Sequence, residues 1–467
     1  MPLRQLDAEV PYYLVLFDRD GRERPETDGS LLSKTLTEVV RQGATDVFLC
    51  SHGWMGDVPA AISQYNAWTG AMVAQAADRD RARALDPEFR PVIVGAHWPS
   101  RPWGEEDAGA GLLGPEEADE FAAERQMSSA ELIERYASRI ADTDATRAAL
   151  TAIMAAAQDG RVAAGLEDGT LPPGLEAAYQ TLFADAGLGL GGPAAAPGSD
   201  QQAFRPARTI SEWTSATTGA VQPGFGLLGG GLRHGVKDAL LMPVRQLSFW
   251  TMKDRARRIG EGGVHDLLIT LQQAAPQARF HLMGHSFGCI VVSAAIAGPS
   301  GQSATMSRLP RPVHSLFLVQ GALSLWSFAQ AIPYPPGAPG YFRPIGVAPA
   351  MVSGPVVTTR STFDRAVGTF FPLAARLGHD LLLAGELPEF GAVGAFGLQG
   401  LSHGQATDLP VLNADARYGF DARRFYNIDA STVICHGAGP SGAHCDIAHP
   451  EIAHIFWQAA LAGIASL

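Results

Sequence analysis

Ser286 is the residue whose surroundings most clearly indicate chemistry in this sequence. It is the centre of the G-x-S-x-G segment Gly284 to Gly288. Residues 278–283 before it are apolar enough for a buried strand, and residues 289–296 after it can form a tightly packed helix. A serine at such a strand-to-helix turn has a strained backbone, and the flanking glycines let strand and helix approach each other. The chain contains 52 glycines, so the flanking elements, rather than the five letters, predict a nucleophilic serine.

A serine hydroxyl is a weak nucleophile at neutral pH, so it needs a positioned base that a carboxylate orients. Where the serine lies on a turn of this kind, the acid and then the histidine follow it along the chain. Asp364 comes shortly after a strand predicted at 355–359, and His444 precedes the last predicted helix, at 450–462. We therefore predict a catalytic triad in which Ser286 is the nucleophile, Asp364 the acid and His444 the base.

Both partners of the serine have alternatives. Asp364 would be a simple helix cap if another carboxylate, Asp429 or Asp446, were the acid. Three further histidines lie near the predicted base: His436, His449 and His454. The second of these directly precedes a predicted helix and the third lies on a helix face, which are positions more typical of structural histidines.

An acyl transfer also needs two N–H donors for the developing oxyanion. One is predicted to be the main-chain N–H of Phe287, directly after the nucleophile. The other is predicted to be that of Trp54, because a buried strand at 45–50 leads into His52-Gly53 and the next N–H can turn toward a substrate carbonyl. The alternative is that His52 and Gly53 only make a turn.

The elements that must position these residues alternate along the chain. Strands are predicted at 11–17, 45–50, 91–96, 278–283, 313–319, 355–359 and 424–428, and helices at 31–40, 60–76, 262–273 and 450–462. Such alternation predicts the α/β class, with a mostly parallel sheet and helices on both of its faces.

Two blocks interrupt the alternation. Residues 103–246 include a capping box from Ser128 to Glu131 and a Gly-, Ala-, Leu- and Pro-rich segment at 186–199. We interpret this block as a large, mainly helical cap over the site or as a separate helical lobe. Residues 373–412 form a second, apolar and Gly-rich insertion. The predicted core is therefore residues 1–102 and 247–467.

The amino-acid composition makes some classes of binding partner unfavourable. The net charge is −12, which disfavours nucleic acid and anionic membranes as partners. No leader peptide or transmembrane segment is expected from the hydropathy pattern. Four cysteines do not make a disulfide framework and fit a cytoplasmic enzyme, although Cys435 and Cys445 flank one loop and could form a bridge.

We predict neither a cofactor nor a metal, although two patterns in the sequence resemble binding motifs. Residues 224–229 match the letters of a dinucleotide fingerprint, but no strand precedes them. A set of cysteines and histidines suggests zinc, yet its spacing fits no pair-and-pair ligand pattern. That set is Cys435, His436, His444, Cys445, His449 and His454.

The chain resembles the α/β-hydrolase superfamily, and in particular poorly characterised bacterial serine hydrolases. Four motifs carry the resemblance in order: His52-Gly53-Trp54, Trp98-Pro99-Ser100, the segment around Ser286, and Ser361 to Ala366 around Asp364. They span about residues 10–100 and 245–460, outside the larger insertion. The resemblance implies hydrolysis of a carboxylic ester through an acyl-enzyme, without a metal. It does not imply a particular substrate.

The substrate class is predicted from the residues that follow the core strands. Trp54, Trp98 and Trp103 lie where open α/β sheets bind ligands. Together with apolar loops at 225–228 and 323–326, they favour an apolar acyl or aryl group, unless the tryptophans simply pack under the cap. We assign four residues to substrate binding: His52, Gly53, Trp98 and His285. An amidase, a thioesterase or a peptidase would use the same triad, and a non-catalytic binding protein could keep the same fold.

Overall fold

A computed structural model describes most of the chain, including every element that carries a predicted catalytic residue. The described residues are 3–5, 11–54, 58–100, 127–157, 170–188, 204–211, 232–299, 309–333, 336–347, 351–369, 387, 391–402, 406–437 and 442–465.

One sheet organises the described residues. Its strands are β1 (Leu3–Gln5), β2 (Pro11–Leu16), β3 (Asp46–Ser51), β4 (Pro91–His97), β5 (Arg279–His285), β6 (Ser315–Val319), β7 (Val356–Arg360), β8 (Ala406–Pro410) and β9 (Phe425–Asp429). They lie side by side in the order β1-β2-β4-β3-β5-β6-β7-β9-β8. The edge strand β1 is antiparallel to β2, and the other pairings are parallel. The prediction of an α/β chain with a mostly parallel sheet is confirmed.

Helices connect the strands. They are α1 (Leu32–Arg41), α2 (Val58–Ala74), α3 (Ala76–Leu85), α4 (Ser129–Ile140), α5 (Asp144–Ala156), α6 (Pro173–Asp185), α7 (Leu232–Ile259), α8 (His265–Ala274), α9 (Gly288–Ala297), α10 (Arg343–Val347), α11 (Ala366–Thr369), α12 (Val393–Phe396) and α13 (Pro450–Ala465). None of the described helices combines the length and the apolar character that crossing a bilayer requires.

The core lies on both faces of the sheet because its central strands β3 and β5 are buried in every position. In β3, Val47 and Leu49 belong to one hydrophobic cluster, and Phe48 and Cys50 belong to the other. Successive side chains of a strand point to opposite faces, so each face needs its own layer of helices. Buried residues of α1, α7, α8 and α9 fill the first cluster, and those of α2, α3 and α13 fill the second.

The described part of the larger insertion is helical and shares the first cluster. Leu132 of α4, Leu150 of α5 and Leu182 of α6 are buried in it together with residues of α7 and α9. The predicted capping box forms at the start of α4, where Ser128 and Glu131 bond reciprocally. The predicted boundary at residue 246 falls inside α7, so one continuous helix joins the insertion to the core.

Two edge strands and a π-helical turn are among the elements that were not predicted from the sequence. Strands β1 and β8 lie at the two edges of the sheet, and β8 falls inside the second predicted insertion. Its residues are half exposed, so it lacks the apolar run that marks the central strands. A π-helical turn, Gly260–Val264, joins α7 to α8. It brings Gly260 so close to α9 that a Cβ there would lie 2.5 Å from the carbonyl oxygen of Val291.

Candidate active site

Ser286 lies at the end of the central strand β5, in the strained turn that its sequence predicts. Its φ angle is 55°, a left-handed conformation that non-glycine residues seldom adopt. The two flanking glycines are needed for space. A Cβ on Gly284 would lie 2.4 Å from the carbonyl oxygen of Gly288, and one on Gly288 would lie 2.1 Å from that of Ser51. The turn therefore requires glycine at both positions.

The turn is bonded to the loop after the neighbouring strand β6. The N–H of Ser286 donates to the carbonyl of Val319 at 3.1 Å, and the N–H of Ala322 donates to the carbonyl of Ser286 at 3.1 Å. The residue is 4 % exposed. These contacts hold the strained serine in place.

Asp364 and His444 are bonded directly to each other. His444 Nδ1 lies 2.7 Å from Asp364 Oδ2, and both residues are almost fully buried. Asp364 follows β7, while His444 lies in the loop after β9. The N–H of Ala443 donates to the carbonyl of Phe363 at 2.9 Å, so the two loops are docked beside the bonded side chains.

His285 connects His444 to the turn around Ser286. Its Nε2 lies 3.0 Å from the carbonyl oxygen of His444, and the two rings are 5.0 Å apart between centroids. Burial, together with the nearby His444, lowers the pKa of His285 to about 3, so this ring is neutral at physiological pH. The Nε2–H then donates to the carbonyl, and His285 fixes the His444 loop against the residue next to the nucleophile.

His444 is fixed from two directions. The base is held beside the nucleophile by its main chain, through His285, and by Asp364, through its ring. In free enzymes the bond between nucleophile and base is often long and tightens when substrate binds.

The two residues whose N–H groups are the predicted oxyanion donors, Trp54 and Phe287, lie next to each other. Phe287 is the N-cap residue of α9, so its N–H lies at the positive end of that helix. The ring of Trp54 is 5.7 Å from that of Phe287. Directly before Trp54, a Cβ on Gly53 would lie 2.7 Å from Ser286 Cβ. The main chain after β3 therefore runs directly against the nucleophile.

His52 and Trp98 form a buried stack behind this loop. The His52 ring lies 5.8 Å from the Trp98 ring with an angle of 8° between their planes, and its Nε2 is 2.8 Å from His97 Nδ1. Trp98 Nε1 donates to the carbonyl of His52 at 3.1 Å. Burial and the neighbouring His97 keep the pKa of His52 well below its usual value. Both side chains hold the loop after β3, and their predicted contact with substrate remains a prediction.

The alternative acids and bases have other partners. His454 Nδ1 bonds Asp78, His449 Nε2 bonds Asp446, and the Arg360 guanidinium pairs with Asp429. His436 is largely exposed. The structure thus brings Asp364 together with His444 and pairs each rival elsewhere.

Two members of the cysteine and histidine set, Cys435 and His436, lie close to Asp446. The ligand atoms of Cys435, His436 and Asp446 lie within 4.8 Å of one another. Asp446 Oδ2 accepts the N–H groups of Cys435 and His436, and its Oδ1 bonds His449, so the carboxylate already has a role in closing this loop. None of the four cysteines forms a disulfide, so the possible bridge between Cys435 and Cys445 is not formed.

Gln320 is a site residue that the sequence reasoning missed. It follows β6, has a φ angle of 45°, and donates from Nε2 to Asp364 Oδ2 at 2.9 Å. A signal was present, because a polar residue directly follows an apolar strand at the edge where Ser286 lies. Of the predicted apolar loops, 323–326 is described and largely buried, whereas 225–228 and Trp103 lie outside the described residues.

Comparisons with known proteins found no protein family, no curated protein and no solved structure that matches this chain. The function of this chain must therefore be inferred from its own residues and their geometry.

Proposed function

We propose that this chain is a serine hydrolase of the α/β-hydrolase type, which cleaves carboxylic esters through an acyl-enzyme on Ser286. One observation carries the proposal: a strained, glycine-flanked serine follows the central parallel strand, next to a buried Asp364–His444 pair at the same edge of the sheet. Strain of this kind persists where the surrounding structure imposes it, and it is concentrated at functional sites.

The proposed reaction gives each residue one role. Ser286 Oγ attacks the ester carbonyl carbon while His444 Nε2 takes the hydroxyl proton, which it then returns to the departing alkoxide. Asp364 stabilises the imidazolium through Nδ1. Water then attacks the acyl-enzyme by the same route and releases the carboxylic acid. The mechanism requires the His444 ring to come within hydrogen-bond distance of Ser286 Oγ when substrate is bound.

The N–H groups of Trp54 and Phe287 are the proposed donors to the oxyanion. Two such donors, fixed before the reaction, stabilise the tetrahedral intermediate. The position of Phe287 at the start of α9 and the close approach of Gly53 to Ser286 support this assignment.

An apolar acyl or aryl group is the proposed substrate class. The rings of Trp54, Phe249 and Phe287 pack together, with centroids 5.0 to 5.9 Å apart, beside the nucleophile turn. The guanidinium of Arg139, from α4, lies 5.9 Å from the Trp54 ring. Arg139 lies before the predicted boundary at residue 246 and Phe249 lies after it, and both reach this cluster. Their shared packing supports the proposed role of 103–246 as a cap. The cytoplasmic location stays a proposal that rests on the small number of cysteines, none of which forms a disulfide.

The test compares Ser286→Ala with the wild-type protein on a panel of p-nitrophenyl esters. Loss of the nucleophile is expected to lower kcat by about 10⁴-fold or more, because the triad acts as a unit. Ser293→Ala is the matched control. Ser293 lies two turns along α9, and its buried hydroxyl has no hydrogen-bond partner among the described residues, so its loss should leave both fold and activity intact. Equal turnover by Ser286→Ala and wild type would refute the proposal.

The second candidate is a non-catalytic binding protein. It would keep the fold and the buried Asp364–His444 pair without activating Ser286. A fluorophosphonate probe separates the two candidates, because it labels only an activated serine. Labelling that disappears in Ser286→Ala supports the hydrolase, and an unlabelled wild-type protein that still binds apolar esters supports the binding protein.

A further inference from the structure

Gln320 is held in a conformation that needs an explanation. It is one of three non-glycine residues with positive φ among the described residues, the others being Ser286 and Arg423. Gln320 follows β6, and Ser286 follows the adjacent strand β5. Two of the three strained residues are therefore neighbours at the candidate active site.

The amide of Gln320 has every hydrogen-bonding group in use. Its Nε2 donates to Asp364 Oδ2 at 2.9 Å and to the carbonyl of Gly394 at 3.1 Å, and its Oε1 accepts from Thr359 Oγ1 at 2.9 Å. The side chain is fully buried. A flipped amide would place its oxygen against two other acceptors, so a single orientation is possible.

The backbone of Gln320 is bonded into the same network. Its N–H donates to Thr359 Oγ1 at 3.0 Å, and the same hydroxyl donates to the Gln320 amide oxygen. Thr359 therefore fixes both ends of the residue. The left-handed backbone is what allows one threonine to reach both, which gives the strain a structural purpose.

Gly394 leaves room for this arrangement. A Cβ on Gly394 would lie 3.0 Å from Asp364 Oδ2 and 2.8 Å from the carbonyl carbon of Gln320. Gly394 belongs to α12, in the second predicted insertion. That segment therefore packs directly behind the acid of the proposed triad.

Asp364 Oδ2 is the atom that Gln320 and His444 share. It receives Gln320 Nε2 at 2.9 Å and His444 Nδ1 at 2.7 Å. The amide carries no charge, so it fixes the carboxylate oxygen without competing with an imidazolium for the negative charge. A lysine or arginine in its place would neutralise Asp364 in the resting protein.

We propose that Gln320 is a positioning residue, which fixes Asp364 Oδ2 and thereby the ring of His444. This inference rests on the proposed function. Its side chain is fully buried and its amide is hydrogen-bonded within the protein, so we expect its effect on the reaction to pass through Asp364.

The main experiment is a double-mutant cycle with Gln320→Met and Asp364→Asn. Methionine keeps the length of the side chain and removes the amide. Gln320→Met is expected to lower kcat by about 10- to 100-fold with KM unchanged, since a small misplacement of a catalytic group has an effect of this size. In the Asp364→Asn background it should have no further effect, because residues that act through each other are not additive.

Gln320→Gly separates positioning from backbone strain. Glycine adopts positive φ without strain, so the variant should fold and should still lose activity. Arg423→Gly is the matched control, because Arg423 has a φ angle of 59° and lies in the loop before β9, at the opposite edge of the sheet. It relieves comparable strain and should leave kcat unchanged. Wild-type kcat in a folded Gln320→Gly protein would overturn the proposal.

A measurement without turnover makes the outcome independent of the hydrolase assignment. The Nδ1–H proton of His444, bonded to Asp364, should give a downfield proton resonance in the Ser286→Ala protein, and Gln320→Met should shift or broaden it. An unchanged resonance would refute positioning whatever the enzyme does. Absence of Ser286-dependent hydrolysis in the wild type would instead refute the proposed function. Ser286-dependent hydrolysis that Gln320→Met leaves within twofold of wild type would refute the inference alone.

Discussion

Two buried aspartate–histidine pairs lie at opposite edges of the same sheet, one where the parallel strands begin and the other where they end. Their carboxylates accept hydrogen bonds from different kinds of donor. At the amino-terminal edge, Asp46 of β3 receives both Arg279 Nε at 2.8 Å and Nη2 at 2.7 Å, and it bonds His281 Nε2 at 3.0 Å. At the carboxyl-terminal edge, Asp364 bonds His444 and the neutral amide of Gln320. Among the described residues, no lysine or arginine pairs with Asp364.

The cation at the amino-terminal edge changes the electrostatics of its carboxylate. Burial acts to raise the pKa of Asp46, but the bonds from His281 and Arg279 outweigh it and lower that pKa to about 2. Arg279 also contacts Asp86 at 2.7 Å, so it ties β3 and β5 to the turn before β4. This pair works as a clamp between strands.

The two aspartate–histidine pairs differ in the source of the positive charge beside the carboxylate, and this difference gives them different roles. The Asp46 charge is matched by a permanent cation, and its value appears as stability. The Asp364 charge is surrounded by neutral donors, so it remains available for an imidazolium that forms only during the proposed reaction. Removing each carboxylate in turn should therefore affect different properties of the protein.

The largest effect is expected for Asp364→Asn. It should lower kcat for p-nitrophenyl esters by about 10⁴-fold, because a neutral side chain neither stabilises the imidazolium nor selects the right tautomer. Its free energy of unfolding should stay the same or rise, since a buried charge without a cation is replaced by an amide. Kinetics and urea unfolding of the same preparation measure the two quantities. A loss of stability with unchanged kcat would reverse the assigned roles.

Asp46→Asn should show the opposite pattern. The change removes one charge from the buried cluster that Asp46 forms with Arg279 and His281. It is expected to lower the free energy of unfolding by roughly 3 kcal/mol. The folded fraction should keep the wild-type kcat, because Asp46 lies at the other end of the strands from Ser286. Urea unfolding and active-site titration provide these values. If Asp46→Asn and Asp364→Asn were equally destabilising, the distinction between clamp and site would fail.

The part of the site that local sequence specifies was predictable. The turn around Ser286 needs glycine at two fixed positions, and the strand and helix on either side are buried and mostly apolar, so one short window contains the whole signal. Asp364 and His444 could be proposed because parallel strands bring the residues that follow them to one edge. Their 2.7 Å contact could only be seen in three dimensions.

The part that depends on tertiary contacts was not predictable. Gln320 is a polar residue after a strand, and only the positions of Thr359, Asp364 and Gly394 give it meaning. The strand β8 has no apolar pattern of its own and exists because β9 offers it a free edge. The π-helical turn follows from the close packing of Gly260 on α9, which no local preference encodes.

The smallest effect we predict is the pH dependence of the clamp. The pKa of Asp46 is lowered in the folded protein, to about 2, so its contribution to stability is present above the unfolded pKa and lost as the pH falls toward the folded one. From an unfolded pKa of about 3.9, the contribution is roughly 2 to 3 kcal/mol, lost between roughly pH 4 and pH 2. Urea unfolding of wild type and Asp46→Asn at pH 6, 4 and 3 should show the gap between the two proteins narrowing as the pH falls, because the wild type alone loses this contribution. A gap that stayed constant over that range would show that the bonds to Arg279 and His281 do not stabilise the ionised carboxylate, and with it the proposed contrast with Asp364 would lose its electrostatic basis.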